Sequence, residues 1–427
     1  MRFLVLPLFI LGMNGTIANV AHAQVKPVLS ANDPSAMEQR ARKLYERLTG
    51  TKLPADSPTI AQMVTLLNRG QVAQAAEIAT ADDNFLNITV KLWALKLSTR
   101  DETIKTELND MVTSFIGVTR DDRDARELLT GNFYYRGNTN LANVRGSLVP
   151  DLLISNNHYL DLETQRVNLA RNLVRVANQQ IATSATASAN NPDPAGVLTS
   201  RAFMSAHALM GTNRRLVEYT FREFMCVPLQ DWADTGASDL RIGRDIDRFP
   251  GGDHMKFLTS CKGCHTVMDG FRGAFAKWDV GDTPLGIKHS DVNPRTGNNN
   301  DYNINANTTT GVVNKMNRNN TVFPSGYVMT DSSFLNNAIR EKNANFFEWR
   351  GAASGGTGVK DFGTVVSNSR RFSQCMAKQV FETVCRRTLD PVTDAQKLKE
   401  WGDDFEKSGY KLKKLFETTA TRAECLG

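Results

Sequence analysis

The chain has 427 residues, 41% of them apolar, and a formal net charge of +6. This length leaves room for several domains, and the apolar share is that of an ordinary globular protein, which excludes a disordered or fibrous chain. The basic residues are scattered and form no block, so nucleic-acid binding is not indicated and the charge reads as a solvated surface with a mild positive field.

Met1-Arg2 and the apolar run that follows lead to Ala21-His22-Ala23, the small-x-small form of a signal-peptidase site. Residues 1–23 are therefore expected to be a cleaved export signal. No later stretch offers about 18 consecutive apolar residues, so no integral membrane segment is expected once the signal is cut. No cysteine follows the signal to take a lipid anchor, and a periplasmic or extracellular location is expected.

Helix punctuation begins at Asp33-Pro34, where Met37, Ala41, Leu44 and Leu48 recur at helical spacing before Gly50. The pattern repeats. Asp56 or Ser57 caps, Pro58 follows, Ile60, Met63, Val64 and Leu67 share a face, and Gly70 stops the helix. Further helices are expected over residues 84–97 and 101–115, with Gly117 behind the second. Residues 128–162 are mixed. Residues 181–194, rich in Ala, Ser, Thr and Asn, are expected to be an exposed linker. Helices resume over 203–210 and 214–225, the second ended by Val227-Pro228. Residues 284–320 are Asn-, Thr- and Gly-rich and are expected to form a long irregular loop. The last hundred residues predict helices over 370–387, 394–405 and 411–418.

Cys261-Lys262-Gly263-Cys264-His265 fits C-x-x-C-H, in which two thiols form thioethers to haem vinyl groups and the adjacent imidazole becomes the proximal iron ligand. One helical turn brings both sulfurs to neighbouring pyrrole edges with the histidine beneath the iron. A zinc site would need a second ligand pair at finger-like spacing, and Cys226, Cys375, Cys385 and Cys425 are isolated. A redox dithiol would want a preceding buried strand, whereas residues 253–258 read as a helical approach. One covalently bound haem c on Cys261, Cys264 and His265 is therefore the expected cofactor.

For the sixth iron position the candidates are Met268, Met316, Met329, His254 and His289. Met268 lies three residues beyond His265 on the same helical face and so stays on the proximal side of the ring. Met329 is favoured, because the 64 residues separating it from His265 are enough for the Asn-rich stretch to wrap the haem. A packing role for any one of these residues, and an open sixth site, remain the competing readings. His158 and His207 have no carboxylate or cysteine at ligand spacing and are read as structural. Phe275 and Trp278 follow the motif at helical spacing, to pack either on the porphyrin or in the core.

The four remaining cysteines are even in number in an oxidising compartment, which favours two disulfides. Cys375 and Cys385 lie ten residues apart in one expected helix, about 15 Å along its axis and beyond disulfide reach. Cys226 and Cys425 should then each take one of that pair. No phosphate loop, H-E-x-x-H or G-x-S-x-G element is present.

With Thr266-Val267-Met268-Asp269, Ala274-Phe275 and Trp278-Asp279 behind it, the motif resembles a large group of exported bacterial proteins of uncharacterised function. These pair a cytochrome-c-like C-x-x-C-H segment with helical flanking domains. Residues 199–229, with Arg214-Arg215, are similar to the segment preceding the motif in that group, and residues 362–425 to its C-terminal helical domain. The N-terminal helices, with Gly70 and Asn84-Phe85, match more loosely. Where the group tends to read Met-Asp-Pro-x-Gly, this chain has Met268-Asp269-Gly270-Phe271-Arg272, and the Asn-rich stretch is its own.

The expected fold class is mainly α, a multi-domain helical protein with an embedded cytochrome-c-like haem domain and a long Asn-rich loop. The expected divisions are a signal (1–23), an N-terminal helical domain (24–145), a middle helical domain (146–235), the haem domain (236–345) and a C-terminal helical domain (346–427). The resemblance implies haem binding and single-electron transfer to an unidentified redox partner protein. The alternatives are a haem enzyme or redox subunit with an open sixth site, and an interaction protein with a structural haem.

Overall fold

Proline at the entry and glycine at the exit bound the first two helices where expected. α1 (Pro34–Thr49) turns Ala41, Leu44, Tyr45 and Leu48 inward, none more than 1% exposed, and Gly50 follows at φ +71° in the left-handed region. α2 (Pro58–Asn68) buries Ile60, Met63 and Leu67; Ser57 stands at its cap in extended backbone, though its side chain makes no capping bond. α3 (Val72–Thr80), not anticipated from the sequence, presents a face of Ala75, Ala76 and Ala79 small enough for α1 and α2 to close on it. The computed structural model describes residues 34–208, 213–243, 246–280, 287–289, 332–339, 343–351, 354–390 and 392–426. The expected signal, Met316, Met329 and most of the Asn-rich stretch lie outside these residues.

A π-helical turn, Phe85–Val90, continues as α4 (Lys91–Leu97), together covering the helix expected over 84–97. The helix expected over 101–115 starts later, as α5 (Asp110–Arg120). Asn109 caps it by accepting the Val112 N–H at 3.1 Å, and the Leu108 N–H is drawn aside to the Glu163 carboxylate. Ile104, which shares the helical periodicity of Leu108 and Met111, is 48% exposed in irregular chain. Gly117 does not end this helix. A Cβ built there would lie 2.3 Å from the Tyr135 ring, so the glycine admits the ring of the neighbouring strand.

The fold is mainly α, with four two-stranded antiparallel sheets among the described residues. β1 (Phe133–Gly137) pairs with β2 (Leu173–Ala177). The stretch expected as a linker is a hairpin of β3 (Gln180–Ala182) and β4 (Ser188–Asn190). Its base is locked by the buried Gln179, which donates to the carbonyls of Phe133 and Gly196 and accepts from Asn191. Side-chain amides replace the apolar alternation that would have marked these strands in the sequence. β5 (Trp278–Val280) pairs with β6 (Ile287–His289), so the expected irregular loop from Pro284 opens with a short strand. β7 (Ser333–Leu335) pairs with β8 (Gly355–Thr357).

α6 (Arg201–His207) and α7 (Asn213–Met225) precede the motif helix α8 (Lys262–Arg272). α9 (Gly358–Ser367), α10 (Arg370–Cys385), α11 (Ala395–Lys407) and α12 (Leu412–Thr421) follow it. Two aromatic groups join distant parts of the chain. Trp93 meets Phe115 at 5.1 Å and Phe416 at 5.5 Å, tying the N-terminal helices to α12. Phe221 of α7 meets Phe271 of α8 at 5.6 Å, Trp232 at 5.4 Å and Phe362 of α9 at 6.2 Å. Each such ring pair contributes about 0.5–1.5 kcal/mol beyond its area burial, and the second group fixes α8 in the core. Among the described residues no helix is long and apolar enough to cross a membrane.

Two disulfides hold α10: Cys226–Cys375 ties it to the end of α7, and Cys385–Cys425 to the C-terminal turn. This is one of the two connectivities left open by the ten-residue spacing of Cys375 and Cys385.

Candidate functional site

The approach to the motif is helical, as expected. Asp253 caps it by accepting the Met255 N–H at 2.8 Å, His254–Lys256 makes one turn, and a π-helical turn, Phe257–Cys261, leads into α8. The fully buried Phe257 ring anchors this entry under the Arg248 guanidinium at 4.8 Å. π-Turns insert an extra residue into a helix and recur at functional sites. This one ends on the first motif cysteine.

α8 has two unlike faces. Gly263, Thr266, Val267, Asp269, Gly270 and Phe271 are buried. Gly263 backs onto the loop before it, where a Cβ would sit 3.3 Å from Ala233 and Thr235, and its carbonyl accepts the Asp234 N–H at 3.0 Å. Gly270 faces Asn336, which a Cβ would approach to 2.6 Å. On the other face Cys261, Cys264, His265 and Met268 form a half-buried stripe at helical spacing. The Met-Asp-Gly sequence thus has a packing cause, since only glycine leaves room for Asn336.

Neither Cys261 nor Cys264 is in a disulfide. Burial pushes the Cys264 thiol up, with the charges of Cys261 and Glu218 acting in the same direction.

The His265 ring is held from behind. Its Nδ1 lies 3.3 Å from Oδ1 of Asp269, one turn along α8, and the Asp269 side chain is fully buried. Asp269 also receives Arg214 of α7 through both oxygens, Nε at 2.6 Å and the terminal nitrogen at 2.8 Å, and the Gly243 N–H at 2.7 Å. Arg272 stands 3.7 Å away. Although burial by itself would raise it, the Asp269 carboxyl is held well below the ordinary carboxylate range by Arg214, His265 and Arg272. With Nδ1 engaged, Nε2 is the nitrogen left to bind a metal.

Two thiols one turn apart, a histidine directly after the second, and a half-buried stripe on an otherwise buried helix match the donor set and the face that a covalent haem requires. Among the described residues no group of three or more His, Cys, Asp or Glu side chains converges on a point where a metal ion would sit.

Of the sixth-ligand candidates, Met316 and Met329 lie outside the described residues. Met268 shares the His265 stripe, as its spacing predicts. His254 is exposed, its Nδ1 2.9 Å from the Arg248 carbonyl, and His289 sits edge-on to Trp278 at 4.9 Å. Phe275 and Trp278 belong to the core: Trp278 is fully buried and donates its indole N–H to Asp193 at 3.2 Å. His158 is buried with both nitrogens used, accepting the Gly137 N–H and facing the Arg145 carbonyl, in keeping with a structural role.

The sequence reading assigned no role to Asp269 or Arg214. The i, i+4 spacing of His265 and Asp269 was the available signal. Comparison with known proteins finds no matching family, no matching curated protein and no matching solved structure.

Proposed function

We propose that the chain is an exported c-type cytochrome of the cell envelope, binding one haem c through Cys261 and Cys264 with His265 as proximal ligand. The observation that carries this reading is the half-buried stripe of Cys261, Cys264 and His265, with the Nδ1 side of the histidine held by a buried carboxylate. The bound haem would supply a one-electron ferric/ferrous couple. The chain's own residues do the rest: the two sulfurs hold the macrocycle to α8, and Asp269 keeps Nε2 turned outward. Core rings such as Phe271 and Phe221 keep water from the buried side of the helix.

Cleavage after Ala23, delivery to the periplasm or exterior, an unidentified redox partner protein and Met329 as sixth ligand belong to the same proposal. So do the haem domain at 236–345 with its flanking helical domains, and kinship with the exported cytochrome-c-like group. The two disulfides support an oxidising location. The competing reading is a haem enzyme or redox subunit with an open sixth site; the carboxylate behind His265 gives it some support, limited by the grip of Arg214 on the same carboxylate.

The test is the full chain expressed with a haem-attachment system. Covalent haem should survive a denaturing gel, and Cys261→Ala with Cys264→Ala should abolish it; retention of covalent haem in that double variant refutes the assignment. Rapid carbon monoxide binding to the reduced protein would establish an open or labile sixth position and replace electron transfer by the enzyme reading.

A further inference from the structure

We infer that Asp269 and Arg214 are positioning residues that fix the tautomer of His265 and set the reduction potential of the haem it ligates. The inference rests on the haem assignment above and adds to it a device that the motif does not contain. It also departs from the simplest way of holding a ligating histidine, which is one bond to a neutral backbone carbonyl.

The tautomer follows from counting donors and acceptors. A carboxylate offers about four lone-pair directions. Oδ1 of Asp269 takes Nε of Arg214 and faces Nδ1 of His265; Oδ2 takes the other Arg214 nitrogen and the Gly243 N–H. A carboxylate in a two-pronged bond with a guanidinium is ionised and only accepts. Nδ1 of His265 must therefore carry a hydrogen and donate it, because the bare nitrogen would set two acceptors against each other in a buried site. Nε2 is left with its lone pair, as iron ligation requires.

The potential follows from how the carboxylate's charge is shared. Arg214 grips Asp269 at 2.6 and 2.8 Å, whereas His265 stands at 3.3 Å. The guanidinium therefore holds most of the charge, and Arg272 at 3.7 Å takes up more. His265 receives a weak anionic partner. Were Arg214 gone, Asp269 would lean on the ring, strengthen it as a donor and favour the ferric state. Were Asp269 neutral, the ring would lose its partner and two cations would remain nearby, favouring the ferrous state. The two residues act with opposite signs through one hydrogen bond, and Arg214 is a moderator reaching in from another helix, 55 residues away.

The test compares haem-loaded full chains of Asp269→Asn, Arg214→Gln and Glu218→Gln. The last removes a charge from α7 that reaches Cys264 without touching His265. Asp269→Asn should raise the potential and Arg214→Gln lower it. Each should change the oxidised-to-reduced ratio at fixed poise at least tenfold, which is 59 mV for one electron, and exceed the shift of Glu218→Gln. Shifts of one sign, or shifts no larger than that control, overturn the inference.

A haem-free arm separates this inference from the haem reading. In the full chain carrying Cys261→Ala and Cys264→Ala, nitrogen NMR of the His265 ring at pH 8.5 should show the Nδ1–H tautomer, and adding Asp269→Asn should remove that preference. A predominant Nε2–H tautomer with Asp269 intact refutes the relay even if haem binds. The Nδ1–H form in a protein that never takes haem upholds the relay and removes the cytochrome. If Asp269→Asn does not fold, Arg214→Lys takes its place: it keeps the charge and loses the fork, so a potential between those of wild type and Arg214→Gln is expected, and a potential equal to wild type counts against the relay.

Discussion

His207 offers a prediction whose size can be worked from the structure. It ends α6 with no exposed surface, its ring stacked on Tyr219 at 3.9 Å and set edge-on to Phe203 at 4.7 Å. Neither ring nitrogen has a hydrogen-bond partner among the described residues. Burial first, and then the charges of Arg100, Arg215 and Arg222, push the imidazole down to about 3. The unfolded chain takes this proton near pH 6.5. Above that value both states are neutral and His207 adds no pH dependence. As the pH falls, the unfolded state binds a proton that the folded state refuses, so stability is lost at about 1.4 kcal/mol per pH unit, or about 2 kcal/mol by pH 5. His207→Phe keeps the stacking and removes the titration. Its packing cost or gain does not vary with pH and cancels when each protein is compared with itself. Urea unfolding at pH 7 and pH 5, followed by far-ultraviolet circular dichroism, should show wild type losing about 2 kcal/mol more than the variant. Equal losses would mean that the folded ring accepts a proton, and the reasoning from burial would fail.

Two further outcomes are expected. Closing loops of 149 and 40 residues, the Cys226–Cys375 and Cys385–Cys425 bonds should contribute about 5 and about 4 kcal/mol by loop-closure entropy. Paired Ala variants measured by urea unfolding check this, and a non-reduced digest linking Cys226 to Cys385 would overturn the connectivity. Glu223 is 2% exposed, one carboxyl oxygen has no partner among the described residues, and burial together with the Glu102 charge raises its pKa well above the ordinary value. Its share of stability is present at acid pH and is lost as the pH rises from about 4.3 toward the folded value. Glu223→Gln should flatten that decline, and an unchanged stability profile would show that the carboxyl ionises freely.

Where structure is local it was legible. Pro34, Gly50, Pro58 and Gly70 act within one turn of their own positions, so α1 and α2 fall where their sequence places them. The β3–β4 hairpin was missed because Gln179 and Asn191 specify it through partners across the sheet, and the start of α5 because Glu163, far along the chain, captures the Leu108 N–H. The proposed ligands Cys261, Cys264 and His265 stand in one motif that spacing alone displays. Asp269 could be seen one turn on, but Arg214 could not, since nothing in one linear stretch announces a guanidinium arriving from another helix. Cysteine pairing lay between: helix geometry removed one arrangement, and the packing of α7 on α10 selected between the other two.

The two disulfides also bear on how the molecule is made. Under the proposed export and haem attachment, all six cysteines would enter an oxidising compartment with the same chemistry, four of them to lose hydrogen to one another and two to stay reduced for thioether formation. Cys261 and Cys264, three residues apart, are the pair most easily closed by accident while the chain is open. The folded chain sorts them by address: Cys226, Cys375, Cys385 and Cys425 meet only when α7, α10 and the C-terminus have docked, while the motif sulfurs lie on a separate, half-open face of α8. Under the proposed haem assignment, haem attachment and oxidative folding would be competing reactions on a single chain, and the order in which they finish would decide whether the protein matures.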